Sequence, residues 1–373
     1  MFIVKSNIHS DNTLETSAKK EHAKINKFII SLIVILNIIN LLFTFILAIK
    51  FFICSYNITA FLFLLTQTCL WSYLAILNVY DKKYVFSVSS LFGIHLYKQC
   101  YQNYNKLFLS EEIQEYHFMS VALSHFPFLY ICYDVFIYQY DSVFIKSSLD
   151  YTYNDKSLII LNFIRGIFCS LSIAIIFTIS IVLNIQNTFR TYPLQKLFDS
   201  KTKKYLLYIF LFYLIDSQIR VITFLFIIET YDVNPFKIFV FIFSQVVTIC
   251  VCIAFDMHIF KNIIIGISSI LVSPLSIILH STNRNYSNER IVRLSKLLIN
   301  FRFFEFFLIL FYGSLYYDDD ELENVSILYA QLINLILLFI LIIVYQKVIS
   351  CKRKFEENID EFNTDMYNNI NDS

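Results

Sequence analysis

Two opposite charges lie four residues apart inside a long apolar stretch of the chain. Asp216 and Arg220 occur in YLIDSQIRVITFLF, residues 213–226, and this spacing places both side chains on one face of a helix. A charge at the centre of a bilayer costs on the order of 3 kcal/mol on insertion scales, and pairing removes part of that cost. The pair is therefore either a structural salt bridge in a helix bundle or part of a polar path through it.

Other ionisable residues recur in similar apolar surroundings. Arg302 and Glu305 are three residues apart in NFRFFEFFLIL, and Asp134 and Arg165 occupy two further apolar runs. The predicted lipid path or structural charge network is Asp134, Arg165, Asp216, Arg220, Arg302 and Glu305. Three acids and three bases neutralise one another when the runs bundle, and they equally suit a groove that attracts a zwitterion.

Little else in the sequence points to chemistry. No Walker loop, dinucleotide fingerprint, HExxH or GxSxG motif occurs, and the chain has only four glycines. The eight cysteines lack zinc or redox spacing, and His125 has no second histidine within a turn. A net charge of +1 gives no reason to expect a nucleic-acid partner. We expect no enzyme activity, no catalytic residue, no metal and no cofactor.

The charged residues lie in helices that must be long enough to cross a membrane. The chain is 57% hydrophobic with a mean hydropathy of +0.60, more apolar than a soluble domain. About 20 helical residues span the roughly 30 Å hydrocarbon core. The predicted fold class is all-α, a polytopic transmembrane helical bundle of about eight crossings. The predicted spans are 28–49, 58–79, 117–139, 160–186, 204–229, 235–257, 295–317 and 325–348.

Two further apolar segments fit a full crossing less well. Residues 84–98 are short and partly polar, and residues 262–280 contain Gly266 and Pro274. Each is predicted to be a re-entrant or interfacial helix, because irregular backbone at membrane depth needs cover from protein or water. Pro274, and Pro127 in the third span, are the predicted helix kinks.

Basic residues predict which side of the membrane each loop faces. Lysines and arginines concentrate in the tails and in the loops on the same side, whereas the last loop on the other side, DDDELEN (318–324), has none. By the positive-inside rule, both termini are cytosolic. The sequons at Asn57 and Asn324 then lie outside but close to the membrane, and their use stays open.

The order of spans divides the chain into a tail, a bundle and a second tail. Residues 1–27 are the cytosolic N-terminal tail, 28–348 the transmembrane bundle, and 349–373 a polar C-terminal tail predicted to be disordered. Within the bundle, two spans, a short segment and two spans occur twice. This order indicates two pseudo-symmetric halves, at about 28–186 and 204–348, as in many transporters.

Four stretches resemble spans of the XK-related membrane protein family. They are CSLSIAIIFTISIVLNIQNTFR (169–190), SQIRVITFLFI (217–227), FRFFEFFLILFYG (301–313) and SHFPFLYICY (124–133). The first is similar to a serine-bearing span that ends in a basic residue, and the third to an aromatic cluster that precedes a glutamate. In the last, Pro127 matches the family pattern, but Phe128 stands where the family has Gln. The resemblance covers roughly residues 60–345, through the order and spacing of spans.

This resemblance implies eight crossings, two partial helices and cytosolic termini. Some members of the family are phospholipid scramblases of the plasma membrane that are activated when caspases cut the cytosolic tail. Here the tail contains Asp360 and Asp365 but no Asp-x-x-Asp site. The expected function is movement of phospholipids between leaflets along the charged residues. Membrane lipids are the expected partners, and the existence of a partner membrane subunit stays open.

Two other functions remain open from the sequence. A secondary transporter or channel agrees with two halves, although glycine-rich broken helices are lacking. A seven-span-type chemoreceptor would need an odd number of crossings, and no DRY-like basic triplet follows the third span.

Overall fold

The structure is a computed structural model in which every regular element that it describes is helical. The described residues are 4–54, 57–80, 84–91, 93–106, 153–188, 200–229 and 331–354, with isolated positions between 113 and 132 and between 296 and 307. No strand occurs among them. The predicted all-α class is therefore confirmed for this part of the chain.

Seven helices of eight or more residues lie in the described ranges. They are α1 (Val4–Ile53), α2 (Asn57–Tyr80), α3 (Tyr84–Leu91), α4 (Ile94–Asn103), α5 (Tyr153–Thr188), α6 (Ser200–Glu229) and α7 (Gln331–Lys354). Because α1 begins at Val4, 24 residues of the predicted tail 1–27 (residues 4–27) are helical.

Four of these helices contain a segment that is long and apolar enough to cross a membrane. The segments are Lys20–Ile53, Ile160–Leu183, Ser200–Thr223 and Gln331–Lys354. They overlap the first, fourth, fifth and eighth predicted spans, and α2 is a 24-residue helix over the second. Spans 117–139, 235–257 and 295–317 lie wholly or largely outside the described residues, as do segment 262–280 and most of the tail 349–373. The total of eight crossings stays a prediction.

Side-chain contacts show that α1 and α5 run in opposite directions. Asn40 of α1 accepts a hydrogen bond from Arg165 of α5. Ten residues further along α1, Lys50 Nζ donates to Ser157 Oγ at 2.9 Å. The residue number rises in α1 while it falls in α5, so the two helices are antiparallel.

The same alternation continues from α5 to α6. Gln218 Nε2 donates to Ser170 Oγ at 2.5 Å, and the Phe177 and Tyr213 rings stack with their centroids 4.4 Å apart. From the first contact to the second, the residue number rises in α5 from 170 to 177 and falls in α6 from 218 to 213. These two helices are also antiparallel.

α7 packs against α6 and reverses direction again. Asn334 Nδ2 donates to Thr223 Oγ1 at 3.3 Å, and the Tyr345 and Phe212 ring centroids are 6.2 Å apart. The four membrane-length helices therefore alternate in direction in the order α1, α5, α6, α7.

Helices α3 and α4 form a short hairpin beside α2. Asn78 Nδ2 of α2 donates to Ser90 Oγ of α3 at 2.8 Å. Gly93, which joins α3 to α4, has φ +69°, and a Cβ added there would lie 2.8 Å from Trp71 Nε1. A left-handed conformation in contact with an indole ring requires glycine, so this residue sets the turn of the hairpin.

The far end of the hairpin attaches to α1. Asn26 Nδ2 donates to Asn103 O at 3.2 Å and to Lys106 O at 2.7 Å, and Asn103 O also accepts from Lys106 N–H at 3.0 Å. With 8 and 10 residues, α3 and α4 are about 12 and 15 Å long. Neither helix is long enough to cross a roughly 30 Å bilayer core, which agrees with the prediction that segment 84–98 is too short for a full crossing.

Large apolar side chains cover much of the outside of the bundle. Ile58 is 80% exposed, Ile53 70% and Phe28 68%. The interior is filled by aromatic and aliphatic side chains, including a stack in which Phe63 lies between Phe51 and Phe128. A bundle with an apolar exterior of this kind is compatible with a membrane protein, because lipid tails replace water at its surface.

Candidate functional site

Three of the six predicted charged residues lie in the described part of the chain, and all three are buried. Arg165 and Asp216 are 0% exposed, and Arg220 is 3% exposed. The other predicted positions lie outside the described residues: Asp134, Arg302, Glu305, Pro127 and Pro274. These three charges therefore lie in the interior of the bundle and do not face lipid.

Asp216 and Arg220 belong to a polar stripe along α6. The stripe consists of Tyr213, Asp216, Arg220 and Thr223, all buried. Their spacing of three, four and three residues keeps them on one face of the helix. Thr223 extends the stripe to α7 through its hydrogen bond from Asn334. The predicted shared face of Asp216 and Arg220 is thus part of a longer polar surface that is covered by neighbouring helices.

Arg165 is enclosed by one amide and three aromatic rings. Its Nη2 donates to Asn40 Oδ1. Its guanidinium carbon lies 4.7 Å from the centroid of Phe128, 5.5 Å from Phe168 and 5.7 Å from Phe43. At these distances the ring faces attract the cation. This enclosure holds a permanent charge away from both water and lipid.

The amide that binds Arg165 is itself oriented by hydrogen bonds. Asn40 Nδ2 donates to Ser124 Oγ at 3.3 Å and to Gln67 Oε1 at 3.4 Å. Ser124 Oγ also lies 3.4 Å from Gln67 Oε1, to which it donates. Because the Asn40 nitrogen is used in this way, its oxygen is the atom presented to Arg165. Buried groups from α1, α2 and α5 are joined here.

Several buried polar atoms around Arg165 have no hydrogen-bond partner among the described residues. They are Arg165 Nε, Arg165 Nη1, His125 Nε2 and Asn162 Oδ1. The other ring nitrogen of His125 lies 3.0 Å from Ser120 O, and Asn162 Nδ2 donates to Cys132 O at 2.7 Å. Buried polar atoms are normally satisfied, so this cluster has capacity for a small polar ligand or water.

Hydrogen-bonded pairs between α1, α5 and α6, together with the α6 stripe, occur at different depths along these helices, and we call this set the polar ladder. Lys50 and Ser157 form its first step, Asn40 and Arg165 the second, and Ser170 with Gln218 the third. The fourth step is the α6 stripe from Arg220 and Asp216 down to Tyr213.

The length of the polar ladder follows from helix geometry. Ser157 and Arg165 are eight residues apart, which is about 12 Å along α5. Ser170 lies about 7.5 Å beyond Arg165, and Tyr213 lies about 7.5 Å beyond Gln218 on α6. The sum, about 27 Å, is close to the roughly 30 Å of a bilayer core. The polar ladder thus extends over most of that thickness.

The sequence alone does not predict the amides and rings around Arg165. Asn37 and Asn40 stand three apart in the apolar run NIINLL, and this was the available signal for Asn40. Uncharged amides are less costly in a membrane than full charges, so they give a weaker signal. Nothing in the sequence indicates that Phe43, Phe128 and Phe168 meet at one guanidinium.

In the part that the structure describes, this protein is helical, with buried charges and four segments long and apolar enough to cross a membrane. No protein-family model matches the chain, and neither a curated protein nor a solved structure is similar to it. The resemblance to the XK-related family therefore depends on four sequence stretches, 124–133, 169–190, 217–227 and 301–313.

Proposed function

We propose that this chain is an XK-related-type scramblase that lets phospholipids move between leaflets along the polar ladder. The supporting observation is a set of buried and partly buried polar side chains spread over about 27 Å inside a bundle whose exterior is apolar. A lipid headgroup needs polar contacts at each depth, while its acyl tails can stay in the surrounding lipid.

The residues of the polar ladder match the groups of a zwitterionic headgroup. The guanidinium groups of Arg165 and Arg220 can bind the phosphate through paired hydrogen bonds. The carboxylate of Asp216 can attract the choline or ethanolamine ammonium. The flow is downhill, so no nucleotide is required. We place the protein in the plasma membrane, with eight crossings and both termini in the cytosol.

The described arrangement is a closed one. Arg165, Asp216 and Arg220 are at most 3% exposed, so a headgroup reaches them only when helices separate. In this proposal a trigger opens the bundle, and the C-terminal tail 349–373 is the segment on which a trigger can act from the cytosol.

The helix directions support an even number of crossings. If α1 and α5 both cross the membrane, their antiparallel pairing requires an even number of crossings between them. The antiparallel pairing of α6 and α7 requires the same of the segment between them. The total is then even, with both termini on one side, which favours the eight-span topology over a seven-span receptor.

A secondary transporter or channel is the second candidate function, and one observation favours it. Three charges of the polar ladder, Arg165, Asp216 and Arg220, are buried inside the protein, as for a solute path. A groove for lipid headgroups would instead be open to the bilayer along one side.

Reconstitution into liposomes that contain fluorescent phospholipid tests the proposal. We expect dithionite to bleach the inner-leaflet lipid when wild-type protein is present. We expect Asp216→Asn and Arg220→Gln each to slow the bleaching of the inner-leaflet lipid at least about tenfold. A charged contact that stabilises the moving headgroup by about 1.4 kcal/mol or more accounts for a change of this size. The matched control is Lys203→Gln, an exposed position on the same helix.

Two results would reject lipid movement. One is the absence of scrambling in wild type, both with the full tail and with the tail cut after Lys354. The other is scrambling that is equally fast in the Asp216 and Arg220 variants. Ion-dependent uptake of a solute by the same liposomes would then support the transporter.

A further inference from the structure

Arg165 is a permanent positive charge that the described residues do not neutralise. Arginine stays protonated in proteins, and this one is fully buried. Among the described residues, its contacts are the oxygen of Asn40 and three phenylalanine rings. None of them carries a negative charge. Burial of a charge without a counterion is costly, and partial compensation by dipoles and rings leaves much of the cost.

The surroundings of Arg165 also leave hydrogen-bond donors unused. Its Nε and Nη1 are buried and make no hydrogen bond to any described residue. His125, whose ring interacts electrostatically with Arg165, lies near Ser120 O through Nδ1. When Nδ1 carries the proton, Nε2 presents a lone pair, so a water is its natural partner. The N–H groups on Nε and Nη1 of Arg165 can bind an anion, and a water on His125 Nε2 can hydrate it.

We propose that Arg165 forms an interior anion-binding site that holds one singly charged anion as its counterion. The ligands are the Nε–H and Nη1–H groups of Arg165. Asn40 fixes the remaining nitrogen, Nη2, and so sets the direction of the other two. Two sources supply an anion of this charge, a free inorganic ion such as chloride and the phosphodiester of a lipid. The proposal does not depend on lipid movement, since an anion bound as a structural counterion needs no transport.

Thermal unfolding of the purified protein in a neutral, lipid-free detergent tests the site. The protein is first exchanged into gluconate, which is too large for an enclosed site, and then titrated with chloride or nitrate at constant ionic strength. A ligand that binds only the folded state raises the unfolding temperature, by at least about 3 °C when it is far above its dissociation constant. A parallel titration with short-chain phosphatidylcholine in gluconate tests the lipid source.

Two substitutions show whether Arg165 is responsible. Arg165→Gln removes the charge, and we expect its unfolding temperature to change by less than about 1 °C over either titration. Asn40→Asp places a carboxylate at the atom that already accepts from Arg165. This internal counterion should stabilise the protein in gluconate and abolish the response to added anion. Lys203→Gln, which removes an exposed charge, should respond like wild type.

Each outcome decides the matter. A chloride response that is lost in both variants supports the site with an inorganic ion, and a response to phosphatidylcholine alone supports it with a lipid phosphodiester. A wild type that responds to neither overturns the proposal. An unchanged response in Asn40→Asp also overturns it, and this test remains if Arg165→Gln does not fold.

Discussion

Replacement of Gly93 by alanine should destabilise the α3–α4 hairpin through two separable effects. The backbone there has φ +69°, and an L-residue in this conformation costs about 1–2 kcal/mol relative to glycine. The added Cβ would also lie 2.8, 2.9 and 3.0 Å from three atoms of the Trp71 indole. Overpacking of this kind costs about 1–3 kcal/mol. The expected loss is therefore about 2–5 kcal/mol in the free energy of unfolding.

The single tryptophan of the chain makes the measurement local. Trp71 is the only tryptophan, so its emission spectrum reports the environment of the hairpin turn directly. We expect Gly93→Ala to lower the midpoint of unfolding in detergent and to shift the emission of the folded protein.

A second background separates the two effects. In Trp71→Leu the indole is absent, so Gly93→Ala should retain only the backbone cost of about 1–2 kcal/mol. Equal stability of Gly93→Ala and wild type would refute the described turn. An equal loss in both backgrounds would refute the contact with Trp71.

Three further outcomes are expected. Asn26→Ala should lower the free energy of unfolding by about 1–3 kcal/mol, since it removes the hydrogen bonds to Asn103 O and Lys106 O and leaves Asn103 O only its bond from Lys106 N–H. Faster amide exchange in α4 would distinguish this from a general loss of stability. Burial raises the pKa of the Cys100 thiol to about 12, so little of it should be thiolate at pH 7.5. In a variant with Cys100 as its only cysteine, maleimide should therefore label the folded protein slowly. Rapid labelling would contradict this. Asp216→Asn and Arg220→Gln should each lower the free energy of unfolding by about 3–5 kcal/mol. The double variant should lose less than the sum of the two single losses. If the losses measured by chemical unfolding are strictly additive, the two charges are not coupled.

Within the described part of the chain, the sequence predicts the long helices well, because the length of an apolar run shows whether a helix can cross a membrane. The runs that begin near residues 28, 160, 204 and 325 all correspond to described helices with a membrane-length segment. The boundaries were less accurate. α1 begins at Val4 although residues 4–27 are polar, because helix propensity and attachment through Asn26 to the end of α4 do not require an apolar face.

The candidate site was predicted only in part. Arg165, Asp216 and Arg220 were identified because a charge in an apolar run is rare and costly. Asn40, Gln67 and Ser124 were not, since single polar residues in a membrane helix carry a weak signal. Their role depends on which faces of different helices meet, and this information is absent from the order of residues along one helix.

Some properties of this protein follow from the sequence by itself: an all-α chain, apolar helices of membrane length, and charges placed within them. Each is a local property, set by residue type and by the 1.5 Å rise of a helix. The tertiary structure decided the rest. It placed Arg165 among three rings and Asn40, paired Ser170 of α5 with Gln218 of α6, and buried Arg165, Asp216 and Arg220 inside the bundle. These features depend on the relative rotation and direction of helices far apart in the chain, which packing and hydrogen bonding between side chains determine.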